Sequence, residues 1–402
     1  MNNARTHETT EPIHSSITLA PDARILVVKL AGLGDLLLAT PALRALRESY
    51  PRARIDLLVT PDSASLLKGW PVIDNIIVLD KYLFDYPQQI IKHPSNLKRL
   101  ADIFKPLREG HYDAVLLFHH LTLRFGRLKH QALMRATGAK WRVGLDNGHG
   151  WFLNVRVKDE GFGAMHEAEY NMAVAAAVGA TIHTPKLEIP LSEAEREAAR
   201  ELVYDASVPE AAPHPIIAIH PGSGGYSTAR RWAPERFAQL ANTLYKETGG
   251  QLLLVGGPEE VELHQQIMNQ LHSGVPVRSL AGKGNIKVAT AVLELADLFI
   301  GNDAGLAHLA SAVETPVVAI FGLTNYKAWG PYTGDRKDLA TIVHLDLPCM
   351  PCFYRGHQLG TPEGCATRDC LTQLGVEPVA AAARRMLRLH GKWHGATSTA
   401  TE

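Results

Sequence analysis

From residue 24 onward, short apolar runs alternate with longer segments of helical spacing. Residues 24–30 (RILVVKL) are almost continuously apolar and rich in β-branched side chains, the pattern of a parallel strand covered on both faces. Residues 54–59, 76–79 and 114–118 repeat that pattern. A helical stretch over 36–49 follows the first run, with Pro41 near its start, where a proline is tolerated or gives a mild kink. A second series follows, with strands predicted at 216–219, 251–255, 298–300 and 317–320 and helices at 234–248, 258–272, 286–296 and 305–313. Strands alternating with helices predict α/β units built on parallel sheets.

The chain divides accordingly. Residues 1–22 read as a flexible lead and 23–190 as an N-terminal Rossmann-like domain. Residues 191–214 read as a proline-bearing linker holding one charged helix over 192–204. Residues 215–375 form the second Rossmann-like domain, 376–391 a closing helix and 392–402 a flexible tail. Two domains also suit the length of 402 residues, at about 100–200 residues per domain. The 41 Lys and Arg balance 41 Asp and Glu, which argues against a nucleic-acid binder. No run of 18 apolar residues predicts a membrane span. The first residues lack the basic start and apolar stretch of a secretory signal, and four cysteines are too few for a disulfide-stapled scaffold. A cytoplasmic enzyme is the expectation.

Four glycine-bearing turns each follow a predicted strand and precede a helix, at the carboxyl ends where α/β ligand sites form. In the first, Gly32 and Gly34 let backbone approach a ligand, and Asp35 is either a helix cap or a cleft carboxylate. A dinucleotide fingerprint is incomplete, because Leu37 stands where a third glycine belongs and no acidic residue ends the second strand. That counts against a nucleotide-sugar epimerase or dehydrogenase. In the second turn, residues 220–232 (HPGSGGYSTARRW), small residues and hydroxyls precede Arg230 and Arg231, a set suited to phosphate. The third carries Glu259 and Glu260 and could meet ribose hydroxyls or simply open a helix with acid. The fourth, residues 301–308 (GNDAGLAH), offers Asp303 or Asn302 as a cap, free N–H groups at residues 304–306 for a diphosphate, and His308 facing or underlying the cleft.

Two further features stand apart. Cys349, Cys352, Cys365 and Cys370, in a loop over 349–370, could clasp a structural zinc or iron ion or pair as thiols. Basic residues gather between Arg124 and Arg142, either as a solvated helix face or as a patch for an anionic acceptor or a membrane surface.

The segments KLAGLGDLLLATPALRALRESYP, HPGSGGYSTARRWAPERFAQLA, LLLVGGPEE and LAGKGNIKVATAVLELADLFIGNDAGLAHLASAVETPVVAIFG together resemble glycosyltransferase family 9, the ADP-heptose–lipopolysaccharide heptosyltransferases. The resemblance implies a GT-B architecture, with an acceptor-binding N-terminal domain facing a nucleotide-sugar-binding C-terminal domain. It implies inverting transfer with no metal in the chemistry, Asp35 as the catalytic base, and donor contacts from Ser227, Thr228, Arg230, Glu259, Asp303, Ala304, Gly305 and His308. The sequence departs from the family in carrying Arg230 for its lysine, and Ala304 where Thr or Ser is usual. The implied partners are an ADP-heptose donor and a lipopolysaccharide-core or other glycan acceptor, at the cytoplasmic face of the inner membrane. Another nucleotide sugar, a protein acceptor, or a non-catalytic nucleotide-binding shell remain as alternatives.

Overall fold

A computed structural model of the chain describes residues 16–80, 104–204, 214–354 and 359–393. Most of the expected lead, part of the linker and most of the tail lie outside the described residues. Twelve strands are named among those described. β1 (Arg24–Lys29), β2 (Arg54–Val59), β3 (Asn75–Val78), β4 (Ala114–Leu117), β5 (Trp141–Asp146) and β6 (Val155–Lys158) form one sheet. β7 (Ile216–His220), β8 (Gln251–Leu254), β9 (Val277–Ser279), β10 (Leu298–Asn302), β11 (Val317–Ile320) and β12 (Ala340–Val343) form another.

The strand orders are β3-β2-β1-β4-β5-β6 and β12-β11-β10-β7-β8-β9, every pair parallel. Both are the doubly wound order, in which the direction of strand addition reverses between β1 and β4 and between β7 and β10. Crevices open at those two places, beyond the carboxyl ends of the strands. Two Rossmann-like domains in this arrangement are the GT-B architecture.

The central strands β4, β7, β8, β10 and β11 are buried throughout, which explains their continuous apolar sequences. β3, β9 and β12 lie at sheet edges and are only partly buried. β5 and β6 carry charged side chains and do not read as apolar runs; neither they nor β9 nor β12 was predicted as a strand.

The helical stretch predicted over 36–49 is two helices, Leu33–Leu37 and Thr40–Ser49. Pro41 does not kink a helix but opens the second one, where its missing N–H costs no hydrogen bond. The helix Glu193–Val203 is capped by Ser192 and Glu195 in a reciprocal capping box. It packs on the helix Ile286–Glu294, with Arg196 paired to Glu294, so the helix within the linker rests on the C-terminal domain.

One apolar cluster runs from the first sheet (Ile25, Val27, Leu57) through helix residues Leu36 and Leu37 to Ala307 and Leu309 and on to Phe299 of the second. The short helix Leu33–Leu37 packs directly on the helix Gly305–Ala312 of the other domain. Other contacts crossing the domains are His166 Nε2 with the Gly330 carbonyl, 2.9 Å apart, and Lys287 Nζ donating to the Lys68 carbonyl at 2.8 Å. At Gly163, with φ of +75°, a side chain would strike Asn325 of the second domain.

Candidate active site

The ends of β1 and β4 are tied together where the first crevice opens. Leu30 N–H donates to His119 Nε2 at 2.6 Å, and the buried Lys29 ammonium donates to the Phe118 carbonyl at 2.9 Å. Burial holds the His119 pKa well below its ordinary value, so the ring stays neutral and accepts that bond. Asp35 lies in the first turn of the helix that follows β1. Gly32 is the N-cap of this helix and no side chain caps it, so Asp35 does not act as its cap. Its carboxylate is partly buried.

Beside it stands a cluster the sequence did not flag. His120, after β4, shares Nδ1 with Asp159 Oδ2 at 2.7 Å and Nε2 with Glu167 Oε1 at 3.0 Å. Burial opposes charging of this ring, but the two hydrogen bonds and the two negative charges outweigh it and lift the pKa to about 9. Burial likewise disfavours the Glu167 carboxylate, yet His120 brings its pKa below the ordinary value. Tyr354 enters from the second domain. Its ring stacks on Phe162 at 4.7 Å, and its hydroxyl resists ionisation through burial and the fields of Glu167, Asp35 and Asp159. The signal for this cluster was a histidine pair at the carboxyl end of a central strand.

The residues predicted to meet the donor lie around the second crevice. Asn302, wholly buried at the end of β10, accepts from Trp232 N–H and donates to the Pro221 and Gly222 carbonyls, so it locks the loop after β7 in place. Arg230 stands in a short 3₁₀ turn, Thr228–Arg230. Its guanidinium donates to the Asp303 carbonyl at 2.9 Å and the Ser223 carbonyl at 2.8 Å, leaving Nε buried without a partner among the described residues. Arg230 therefore bridges two glycine-bearing turns. Asp303 also accepts from Thr324 Oγ1 at 2.7 Å, a residue after β11 that the sequence did not single out.

The remaining predicted donor residues are placed unevenly. Neither Asp303 nor Asn302 caps the helix Gly305–Ala312: Ala304 is its N-cap and no side chain caps it, so the N–H groups of its first turn have no partner within the helix. Thr228 is exposed. Ser227 is buried, and its hydroxyl donates to the Pro362 carbonyl at 2.6 Å, so it holds the cysteine segment against the loop. His308 is buried with Nδ1 unpartnered among the described residues, and burial lowers its pKa to about 3.

Glu259 is exposed, whereas Glu260 is buried at 1% exposure. Glu260 accepts from Gly257 N–H at 3.2 Å, and its Oε2 lies 3.0 Å from His220 Nε2. Burial opposes its ionisation, but His220, the Gly257 N–H and Arg231 hold its pKa down to about 2. A side chain at Gly222 or Gly256 would strike this carboxylate, so those two glycines make room for it. Of the two adjacent glutamates, the inward one is Glu260.

All four cysteines are free thiols. Burial and then the other three thiols raise the Cys370 pKa to about 11, which places them in one neighbourhood. Among the described residues, however, no three His, Cys, Asp or Glu side chains are gathered closely enough to hold a metal ion. The cysteines suit zinc or iron in kind and number but not in spacing.

The two crevices meet. A side chain built at Gly34 would stand 3.2 Å from His308 Cδ2 and 3.3 Å from Gly305 Cα, so the Asp35 turn faces the Asp303–His308 turn across the cleft.

Comparison with known proteins places this geometry in context. Residues 100–361 match the family model for glycosyltransferase family 9 (heptosyltransferase). Lipopolysaccharide heptosyltransferase 3 of Escherichia coli K12 is 27% identical over 335 residues, covering 78% of this chain and 89% of that protein. Among solved structures, the glycosyl transferase family 9 protein from Veillonella parvula superposes with a TM-score of 0.70 at 24% identity, covering 92% of this chain and 99% of that one. The E. coli heptosyltransferase WaaC with ADP gives a TM-score of 0.65 at 19% identity, covering 91% and 99%.

Proposed function

The chain belongs to glycosyltransferase family 9, and from that premise we propose that it transfers heptose from ADP-heptose to a lipopolysaccharide-core glycan with inversion at the anomeric carbon. The observation that carries this reading is the meeting of the Asp35 turn with the Asp303–His308 turn, which puts a carboxylate and a phosphate cradle in one cleft. A relative solved with ADP supports the choice of nucleotide, and one named for lipopolysaccharide supports the choice of acceptor.

In this mechanism an acceptor hydroxyl lies against Asp35. The carboxylate takes its proton while the oxygen attacks the anomeric carbon on the face opposite the diphosphate. The new carbon–oxygen bond forms as the bond to the diphosphate oxygen breaks, through a transition state of oxocarbenium character. Negative charge growing on the departing diphosphate is met by Arg230 and the N–H groups at the start of the helix Gly305–Ala312. Glu260 is the carboxylate placed to accept from ribose hydroxyls, its Oε1 being buried with no hydrogen bond among the described residues. Charge stabilisation by these groups needs no metal ion. The four-cysteine segment is assigned a structural role, and its thiolates would have to approach one another to hold zinc or iron; metal analysis of the purified protein tests it.

The acceptor is a membrane-anchored glycan in this reading, so the enzyme works at the cytoplasmic face of the inner membrane. No helix of the described residues is long and apolar enough to cross a membrane. Calorimetry against ADP, UDP and GDP, followed by turnover of ADP-heptose, tests the assignment. ADP is expected to bind best, and Asp35→Ala to keep ADP binding while losing at least about a hundredfold in turnover. Near-normal turnover by Asp35→Ala would remove Asp35 as the base.

A further inference from the structure

The helix Arg124–Ala136 turns an unexpected face outward. A helix on a sheet normally buries its apolar stripe and shows polar side chains to water. Here Leu133 and Met134 are buried as that rule requires. Yet the outer stripe at 125, 128 and 132, spaced three and four residues apart, is Phe125, Leu128 and Ala132, all exposed. Phe125 is 42% exposed and Leu128 58%. Trp151, also 58% exposed, continues the stripe beyond the end of the helix, with the Arg135 guanidinium 5.3 Å from its ring centroid. Eight large apolar side chains are exposed among the described residues, and three of them gather on this one surface.

The segment that carries the stripe is basic. From Ala114 to Leu145 the chain has six Lys and Arg and no Asp or Glu. Arg124, Arg135 and Lys140 flank the apolar side chains and are exposed. Apolar and aromatic side chains flanked by cations complement the headgroup boundary of an anionic bilayer. The rings and leucine enter the acyl edge while the long basic stems reach back to phosphate. The helix is about 20 Å long at 1.5 Å per residue, enough to lie along such a surface. Its Arg124 end follows β4 four residues after His120, on the side of the sheet where the carboxyl ends of the strands lie.

We propose that the helix Arg124–Ala136, extended by Trp151, docks the N-terminal domain on an anionic phospholipid surface and presents the cleft to an acceptor emerging from that surface. The proposal rests on the membrane-anchored acceptor of the preceding section. The test uses the full chain and vesicles of equal parts phosphatidylglycerol and phosphatidylethanolamine. The wild type is expected to co-sediment with these vesicles, to be released by high salt, and to leave vesicles of neutral phosphatidylcholine unbound. Leu128→Glu and Phe125→Glu change exposed positions and are expected to keep the wild-type melting temperature while losing about tenfold in the vesicle-bound fraction. Arg124→Glu should act in the same direction.

Equal binding by wild type and Leu128→Glu would overturn the proposal, as would no binding by the wild type. So would a wild-type dimer that Leu128→Glu converts to a monomer, because the stripe would then be covered by a second copy. Turnover on a delipidated core oligosaccharide separates the two readings. Leu128→Glu should match the wild type there, whereas a wild type that binds vesicles but turns over no such acceptor would fail the acceptor assignment and leave the surface standing.

Discussion

Gly34 and His308 meet across the cleft so closely that a Cβ at Gly34 would stand 3.2 Å from the His308 ring. Two effects of adding that carbon oppose each other. Gly34 lies within the helix Leu33–Leu37, where alanine is favoured over glycine by about 0.5–1 kcal/mol. The new methyl also presses on His308 and on Gly305 Cα, at the start of the helix assigned to the diphosphate. Gly34→Ala is therefore expected to leave the melting temperature unchanged or slightly raised, while lowering kcat by about tenfold through displaced reacting groups. Steady-state kinetics beside a thermal melt checks it. Unchanged kcat would mean that the two turns can separate without consequence.

The buried central strands were readable from sequence because burial on both faces leaves an unbroken apolar run, as in β1 and β7. The edge strand β9 (VRS) was not, since pairing there is decided by a neighbouring backbone, not by the composition of three residues. The same divide runs through the site. Asp35, Arg230 and Asp303 sit in glycine-bearing turns whose local pattern announces a ligand. His120, Asp159 and Glu167 are 39 and 47 residues apart in pairing, and only the folded sheet brings them together. Which of Glu259 and Glu260 points inward depends on the 3₁₀ turn Pro258–Glu260, a feature with no signature in the sequence.

Glu260 and Glu259 give opposite outcomes on substitution. Removing the Glu260 carboxylate leaves His220 Nε2 and Gly257 N–H buried without their acceptor. Glu260→Ala is expected to cost about 1–3 kcal/mol of stability and to weaken ADP binding. Glu259→Ala alters an exposed side chain and should stay within about 0.5 kcal/mol of the wild type. Denaturant melts and calorimetry on both variants check this. A silent Glu260→Ala with an impaired Glu259→Ala would return the ribose contact to Glu259.

Arg230 is tested by its own shape. Its guanidinium reaches the Asp303 and Ser223 carbonyls at once, which a lysine ammonium at the same position has no planar fork to reproduce. Arg230→Lys keeps the charge proposed to face phosphate but loosens the bridge between the two turns. The expected result is a rise of about tenfold in the donor KM with a smaller change in kcat, and a loss of about a hundredfold in kcat/KM for Arg230→Ala. An Arg230→Lys variant that matched the wild type would show that charge alone suffices.

His120 sets the pH dependence of the N-terminal domain. Its folded pKa of about 9 lies above the ordinary 6.5, so the folded state binds the proton more tightly than the unfolded chain does. The stabilisation is therefore complete below about pH 6.5 and fades as pH rises through 9. Above that, Asp159 and Glu167 face each other across a neutral ring, and like charges in a buried site repel. The melting temperature of the wild type is expected to fall between pH 7 and 10, and kcat/KM with it, because the cluster shares the cleft with Asp35 and Tyr354. His120→Gln retains hydrogen-bonding groups but no titratable charge. It should be less stable by about 3 kcal/mol at neutral pH and should lack the decline above pH 8. A variant with the same alkaline slope as the wild type would assign that slope to another group.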